Sequence, residues 1–463
     1  MDTEIQVSIH SSHLALDVGV AHFHRGRASI STTFTYLANY LAHPQAYAID
    51  PGLPLTLGAH RVRGIPGAFL DSAPDRWGRN LLDARHRFLA PEGQARLRSL
   101  DEVDYFLGVD DTTRQGALRF SPPGVEFSKT KVPPFVTLGD LLAASRAIME
   151  IFPGGSPAKG LGPDCAQSHR AIKLLLDAGT GSLGGARPKT SLLNAAGELS
   201  IAKFPHIHDT WNVMGFEAMA LDIASRVGLP TPARELVSLG HHAVLVLERF
   251  DRSAGARLGY ISAMTLTRRG DGEAADYVDI AQAMTASMAS PTSALHQLFD
   301  RVVLNVALNN TDDHLRNHGF VRTKGGWALS PVFDINPDPR QGTTRRTSIA
   351  GAFGDDSAEG LEALAGVCRL TPREAGDRIR QIAQSVSHWE EIAIQRGVNK
   401  ADRALLRPVI DFQLERLGKV AKPPARSPAR SVSHLGGRLR VEKGHRRGGQ
   451  FAALPPKKPE AKA

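Results

Sequence analysis

At 463 residues, with 42% hydrophobic and 22% charged residues, the chain is too long for one core, and a soluble globular protein of two or three domains is expected. No apolar run reaches membrane-spanning length, the opening Met1-Asp2-Thr3-Glu4 is acidic where a secretory leader is basic, and Cys165 and Cys368 are too few for a disulfide framework or a Cys-rich metal site. The net charge of +9 belongs to the tail: from Ala421 onward eleven Lys and Arg stand against Glu442 and Glu460, leaving the first 420 residues about neutral.

These bounds suggest a cytoplasmic enzyme with no membrane contact. Residues 1–130 read as a mixed, strand-bearing domain with a β-like pattern over 28–36 and a loop at Pro51-Gly52-Leu53-Pro54. Ser72-Ala73-Pro74-Asp75 offers a cap, an early proline and an acid, and predicts a helix over 74–82. A further short unit spans 101–120. No catalytic constellation stands out, so packing and recognition are the expected roles.

A second domain is expected over 131–255. It opens with a turn and a helix over 138–151, then a Gly/Pro-rich break at 153–163, read as an exposed loop or a boundary. The run from Gly179 to Lys189 contains G-x-G-x-x-G at 179, 181 and 184. Such glycines let backbone N–H groups approach phosphates. A dinucleotide fold wants a strand before this motif and a helix after it. Here a helix-like 171–177 precedes it and a strand-like 190–194 follows, and no Walker A pattern fits. A glycine loop between two pieces of a kinase N-lobe fits better, with Arg187 and Lys189 as basic groups near phosphate. A plain flexible turn remains the alternative. A strand over 199–204 carries Lys203, which suits pairing with nucleotide phosphates. In the following helix, 211–227, Glu217 is the candidate to hold Lys203, against the reading of a surface acid. The nearly continuous apolar strand 243–248 leads to Arg249-Phe250-Asp251-Arg252, where an adenine-binding hinge would fall.

A third, helical domain is expected over 256–420, since from about 276 to 417 the periodicity is largely helical apart from one loop-rich segment. Leu295, Leu298, Phe299, Val302, Val303 and Val306 form one apolar stripe, and Asn309-Asn310 ends that helix. Then come Asp312-x-x-x-x-Asn317, a short hairpin over 319–321 and 327–329, and Asp334. Phosphoryl transfer needs an acid that orients or deprotonates the acceptor hydroxyl, and two oxygen ligands for Mg²⁺. The spacing lets the acid face the acceptor while the amide turns back to the metal, which fills its other positions with water and phosphate. His314 and His318 have the i,i+4 spacing of helical zinc ligands, but the Asn-rich loop argues against a helix. Framework residues holding Asp312 and Asn317 are the better reading. The segment 336–348, with Asp338, Arg340, Arg345 and Arg346, reads as an exposed loop able to contact a protein substrate. Thr371-Pro372-Arg373-Glu374 starts a helix. The basic tail, 421–463, is expected to be disordered, with nonspecific nucleic-acid contact as a secondary role.

The runs Ser182-Leu183-Gly184-Gly185-Ala186-Arg187-Pro188-Lys189, Ala202-Lys203-Phe204-Pro205, Leu247-Glu248-Arg249-Phe250-Asp251-Arg252, Asn310 to Phe320 and Phe333-Asp334-Ile335-Asn336-Pro337 resemble, in family order, the HipA-type serine/threonine kinases, toxins of bacterial toxin–antitoxin pairs. The resemblance covers roughly 180–340, more weakly the N-terminal region and last helices, and not the tail. It implies an α+β, bilobal protein-kinase-like fold with a mixed α/β N-terminal domain and an all-helical C-lobe. It implies ATP and Mg²⁺ as cofactors, Asp312 as catalytic acid/base, Asn317 and Asp334 as metal ligands, and Lys203 on the phosphates. Glu248 and Phe250 fall at the family's adenine hinge. Gly184, Gly185, Arg187 and Lys189 belong to the glycine loop, and Ser182 falls where family members autophosphorylate and silence themselves. The family's partner is a HipB-like helix-turn-helix antitoxin, which brings indirect DNA association, and known substrates include aminoacyl-tRNA synthetases. The runner-up is a small-molecule kinase of the aminoglycoside or choline type. The third reading is an inactive kinase fold that binds an antitoxin on DNA.

Overall fold

In the computed structural model the described residues are 2–11, 14–26, 29–88, 98–125, 127, 136–151, 166–178, 187–354 and 357–421. The glycine run with Ser182, Gly184 and Gly185, the Gly/Pro break at 153–163 and the tail from 422 lie outside them. The described chain belongs to one compact unit, Met1–Pro423.

It opens on β1 (Thr3–His10), β2 (Ala15–Arg25) and β3 (Ile30–Tyr36), then α1 (Ala38–Leu41), β4 (Ala59–Arg63), α2 (Gly67–Leu70), α3 (Arg76–Phe88), α4 (Glu102–Leu107) and β5 (Leu118–Ser121). The strands form an antiparallel sheet in the order β4-β3-β2-β1-β5. Alternation decides which face is buried: Ile5, Val7 and Ile9 on β1 all point into the core. Helix α3 runs one and a half turns past the expected end, with Arg85, His86 and Arg87 in its last turn, where cations suit the negative helix end.

Next come α5 (Leu138–Ile151) and α6 (Ala166–Asp177), then a second antiparallel sheet of β6 (Lys189–Leu193), β7 (Leu199–Lys203), β8 (Arg234–Leu239) and β9 (His242–Glu248) in the order β6-β7-β9-β8. The apolar β9 is central, as its sequence predicts. Helix α7 (Val213–Arg226), between β7 and β8, packs Met214, Ala218 and Leu221 on Leu245 and Leu247. Trp77 and Leu81 of α3 share a second apolar cluster with Ile148, Ile172, Phe204 and Val244. The first region of the chain is thereby packed against the second sheet and its helices.

The remainder contains β10 (Arg252–Ser253), β11 (Ala256–Arg257), β12 (Tyr260–Ser262), α8 (Ala263–Leu266), β13 (Ala275–Asp276), α9 (Tyr277–Ser287), α10 (Thr292–Ala307), β14 (Gly319–Thr323), β15 (Gly326–Leu329), β16 (Thr347–Ser348), α11 (Ser357–Val367), α12 (Pro372–Ser387), α13 (Trp389–Gln395) and α14 (Lys400–Val420). The expectation of an all-helical region after 256 is corrected here. The hairpin β14–β15 gains β12 as a third antiparallel strand, which satisfies the backbone groups of Tyr260–Ser262 before the helices begin. One apolar cluster runs from Ile5 and Phe34 through Leu298 and Val302 to Leu417, so the first sheet and the last helices share a core. Among the described residues no helix is long and apolar enough to cross a membrane.

Candidate active site

Helix α10 ends in a Schellman motif. Asn310 N donates to Asn305 O at 2.8 Å, Asn309 N donates to Val306 O at 3.0 Å, and Asn309 takes the left-handed conformation with φ 52°. Glycine usually fills that position and asparagine is the next best choice. The Asn309 amide then donates to Asp338 O at 2.8 Å and so ties the turn to the segment after Asp334. This stop is what releases residues 310–314 from helix and lets consecutive side chains point opposite ways.

Asp313 turns inward. Its Oδ2 accepts from Asn305 Nδ2 at 2.7 Å and pairs with His318 Nε2 at 2.8 Å, and the Tyr277 hydroxyl donates to it as well. Burial pushes its carboxyl up, but His318 and the Tyr277 hydroxyl outweigh that and hold it below the usual range. Asp312 turns outward, with a side chain 75% exposed and Arg346 Nε at 3.2 Å. Asn317 closes a single 3-10 turn, Leu315–Asn317, and its Nδ2 reaches Asp312 O at 3.5 Å. The expectation for the histidines holds for Asn317 and is corrected for Asp312. His318 anchors Asp313, not Asp312, because only Asp313 enters the core beside it. His314 contributes its carbonyl, which accepts from Asn317 N at 2.8 Å. Both flank the 3-10 turn with extended backbone, so they do not share a helical face as zinc ligands would.

Asp334 also sits in the left-handed region, φ 59°, which is costly for a residue with a Cβ and places its carboxylate on the cleft. Its Oδ1 accepts from Lys203 Nζ at 2.8 Å and from Asn336 Nδ2 at 3.2 Å. The same ammonium donates to Glu217 Oε1 at 2.6 Å, which makes the expected strand-to-helix pair. Burial would lower the Lys203 pKa, yet Asp334 and Glu217 together raise it, so the ammonium stays charged. Burial raises the Asp334 carboxyl, and Lys203 overrides it and holds it well below the usual range. Glu217 shifts the other way: burial pushes it up and Lys203 offsets only part. Asp334 is therefore the more firmly ionised carboxylate.

Lys203, Asp312, Asn317 and Asp334 line a cleft of 1080 Å³ together with Lys189, Glu248 and Phe250. The Phe250 ring, two residues past β9, lies 5.3 Å from that of Phe333, the residue before Asp334. Arg187 is not among the lining residues. Its Nη1 donates to both Asp209 carboxylate oxygens, at 2.8 and 2.5 Å. Lys189 does line the cleft, with Asp75 Oδ2 at 2.7 Å from its Nζ. Arg249-Phe250-Asp251-Arg252 is a step of tight pairing: Asp251 takes Arg249, Arg252 and the Gly116 N–H at 2.6–2.8 Å. The segment 336–348 is exposed only in part. Arg340 and Arg346 face solvent, whereas Asp338 and Arg345 are buried. Arg345 donates to Asn310 O at 3.0 Å and to Asn305 O at 3.4 Å, which ties this segment to the end of α10.

The cleft has a wall that sequence reasoning missed: Asp71, Asp75, Arg76, Arg79, Glu102 and Tyr105, all from the first region. No local pattern marks Asp71 and Asp75, because their partners, Ser262 and Lys189, lie more than a hundred residues away. Asp71 Oδ1 accepts from Ser262 Oγ, and its Oδ2 from Ser262 N, both at 2.6 Å. Burial pushes its carboxyl up to about 6. Arg79 is fork-paired with Glu102 at 2.6 Å and lies over the Tyr105 ring.

Chemically, the firmly ionised Asp334 carboxylate, the Asn317 amide and the outward Asp312 carboxylate face the cleft, oxygen donors that suit a hard dication taking few protein oxygens. Among the described residues no group of three or more His, Cys, Asp or Glu is placed to hold a metal ion by itself. Phosphate oxygens and water would have to complete the shell.

Two family models match the chain: the HipA N-terminal domain over residues 15–100 and the HipA-like C-terminal domain over residues 181–389. No curated protein matches it. Among solved structures it is similar to HipA of Shewanella oneidensis MR-1, solved in a toxin–antitoxin complex with HipB and operator DNA. The TM-score is 0.63 at 16% identity, over 89% of this chain and 97% of that one, which is a likeness of fold. The Helicobacter pylori proinflammatory kinase CtkA aligns over 52% of this chain and 92% of its own at 18% identity, with a TM-score of 0.35, too low to bear on the fold.

Proposed function

We propose that this chain, which belongs to the HipA family, is an Mg·ATP-dependent serine/threonine protein kinase acting as a toxin on a cytoplasmic protein. The observation that carries the reading is Lys203 held between Glu217 and Asp334 in the cleft that also takes Asp312 and Asn317. In this reading the fold is two-lobed. The sheet β6-β7-β9-β8 with α7 is the smaller lobe, and the helices from α9 onward make the larger.

Lys203 neutralises the α- and β-phosphates, and Glu217 fixes the direction of its ammonium. Glu248 and Phe250 flank the adenine, and Lys189 adds a second cation near the phosphates. Asn317 and Asp334 would hold Mg²⁺, which supplies charge neutralisation on the phosphates when bound. Asp312 accepts a hydrogen bond from the acceptor hydroxyl. As the acceptor oxygen bonds to the γ-phosphorus and the bridging P–O bond to ADP breaks, the hydroxyl proton passes to the Asp312 carboxylate. Its contact with Arg346 must open first, and an exposed pair of that kind contributes only about 0–1 kcal/mol.

Ser182, outside the described residues, is the proposed autophosphorylation site. A phosphate there would carry about −1.5 to −2 charge close to the start of β6. A HipB-like antitoxin that carries the chain to DNA is the proposed partner, supported by the likeness to the Shewanella protein solved in such a complex. An aminoacyl-tRNA synthetase is the first acceptor to test. The test is incubation with Mg·ATP followed by phosphosite mapping of wild type, Ser182→Ala and Asp334→Asn. Label on Ser182 that disappears in Asp334→Asn is the expected result. Label that persists in Asp334→Asn, or equal ATP turnover by wild type and Asp312→Asn, overturns the reading.

A further inference from the structure

The first region of the chain sends one carboxylate into the nucleotide cleft and buries it there. Asp75 stands at the start of α3, where its Oδ1 accepts from Gly78 N at 2.7 Å and its Oδ2 from Lys189 Nζ at 2.7 Å. The two side chains are 7% and 5% exposed. Two residues on, the Trp77 indole N–H donates to Lys189 O at 3.0 Å. One helical turn thus grips the lysine by its ammonium and by its backbone.

Lys189 on β6 lies directly opposite Lys203 on β7. Opposed residues of an antiparallel pair project from the same face of the sheet. Both ammonium groups therefore reach the same cleft, each with its own carboxylate. Breaking a buried pair by removing one partner strands the other charge, so such a pair fixes position far more firmly than an exposed one does.

We propose that Asp75 is a positioning residue of the nucleotide site: it holds the Lys189 ammonium at the phosphate end of the cleft. The inference rests on the kinase reading above, and it makes the first region part of the nucleoside-triphosphate site. An ammonium has three N–H donors, so with one on Asp75 two remain for phosphate oxygens.

The test measures Mg·ATP affinity by titration calorimetry, and KM for ATP against kcat, for wild type, Asp75→Asn, Lys189→Met and the double variant. Asparagine keeps the acceptor for Gly78 N and removes the charge. The double variant strands no buried charge, so it guards against a fold that fails. Each single variant is expected to bind Mg·ATP about tenfold more weakly, the scale of one charge-assisted hydrogen bond. KM should rise by a similar factor with little change in kcat. The double variant should be no worse than Lys189→Met alone, since Asp75 acts through Lys189. Additive losses, or unchanged affinity in a folded Asp75→Asn, overturn the inference. A wild type that does not bind Mg·ATP overturns the kinase reading instead.

Discussion

Asp312 and Asp313 are adjacent in sequence and opposite in environment, one 75% exposed and the other 5%. Their substitutions should separate chemistry from stability. Asp312→Asn is expected to leave stability within about 0.5 kcal/mol, as exposed changes do, and to abolish phosphoryl transfer. Asp313→Ala leaves Tyr277, Asn305 and His318 facing a void and should cost roughly 3–5 kcal/mol. Urea denaturation of both variants checks the contrast, and equal midpoints would refute it. A second residue-scale expectation concerns pH. The folded chain holds the Asp71 proton up to about 6, whereas the unfolded chain releases it near the ordinary value of about 4. Between those values the folded state binds more protons, so the Asp71 contribution is full below about 4 and is lost as pH rises toward 6. The melting temperature of wild type minus that of Asp71→Asn should therefore fall from pH 4 to pH 6 and then level off. A flat difference would show that Asp71 does not titrate in this way.

At the scale of elements, the hairpin after Asn317 is packed so closely that one methyl group would disturb it. A Cβ on Gly319 would meet Tyr260 Cε2 at 2.5 Å and Ser330 Oγ at 3.0 Å. In the turn of the same hairpin, a Cβ on Gly325 would meet only Thr323 Oγ1 at 3.8 Å. Gly319→Ala should cost about 1–3 kcal/mol by overpacking and lower activity through β12 and Tyr260, while Gly325→Ala stays near wild type. Thermal melts and turnover of the two variants decide it, and equal effects would refute the packing argument. The same contrast explains what was legible beforehand. The Asp312-x-x-x-x-Asn317 spacing, the hairpin, Asp334 and the Lys203–Glu217 pair could be read because each element writes its own periodicity and its chemistry lies at element ends. Asp75, Asp71 and the inward role of Asp313 could not, because burial of a polar residue depends on which distant element covers it. Arg345 looked like a solvated loop arginine for the same reason.

Across the whole molecule, charge and fold are separately distributed. Removing residues after Ala421 removes eleven cations and two acids, so the remaining chain should be near neutral. That truncation is expected to keep the melting temperature and Mg·ATP affinity and to lose salt-sensitive retention on nonspecific DNA, since counterion release scales with the phosphates neutralised. Undiminished DNA retention would place the contact in the folded body. The fold itself closes late. Gln413 of α14 donates to Asn309 Oδ1 at 3.2 Å, and Asp402 Oδ2 accepts the Asn212 N–H at the start of the helix that carries Glu217. Both the turn before Asp312 and the helix that carries Glu217 are thus tied to the last helix. A chain cut short before α14 lacks both ties, so the cleft depends on a segment far from it in sequence.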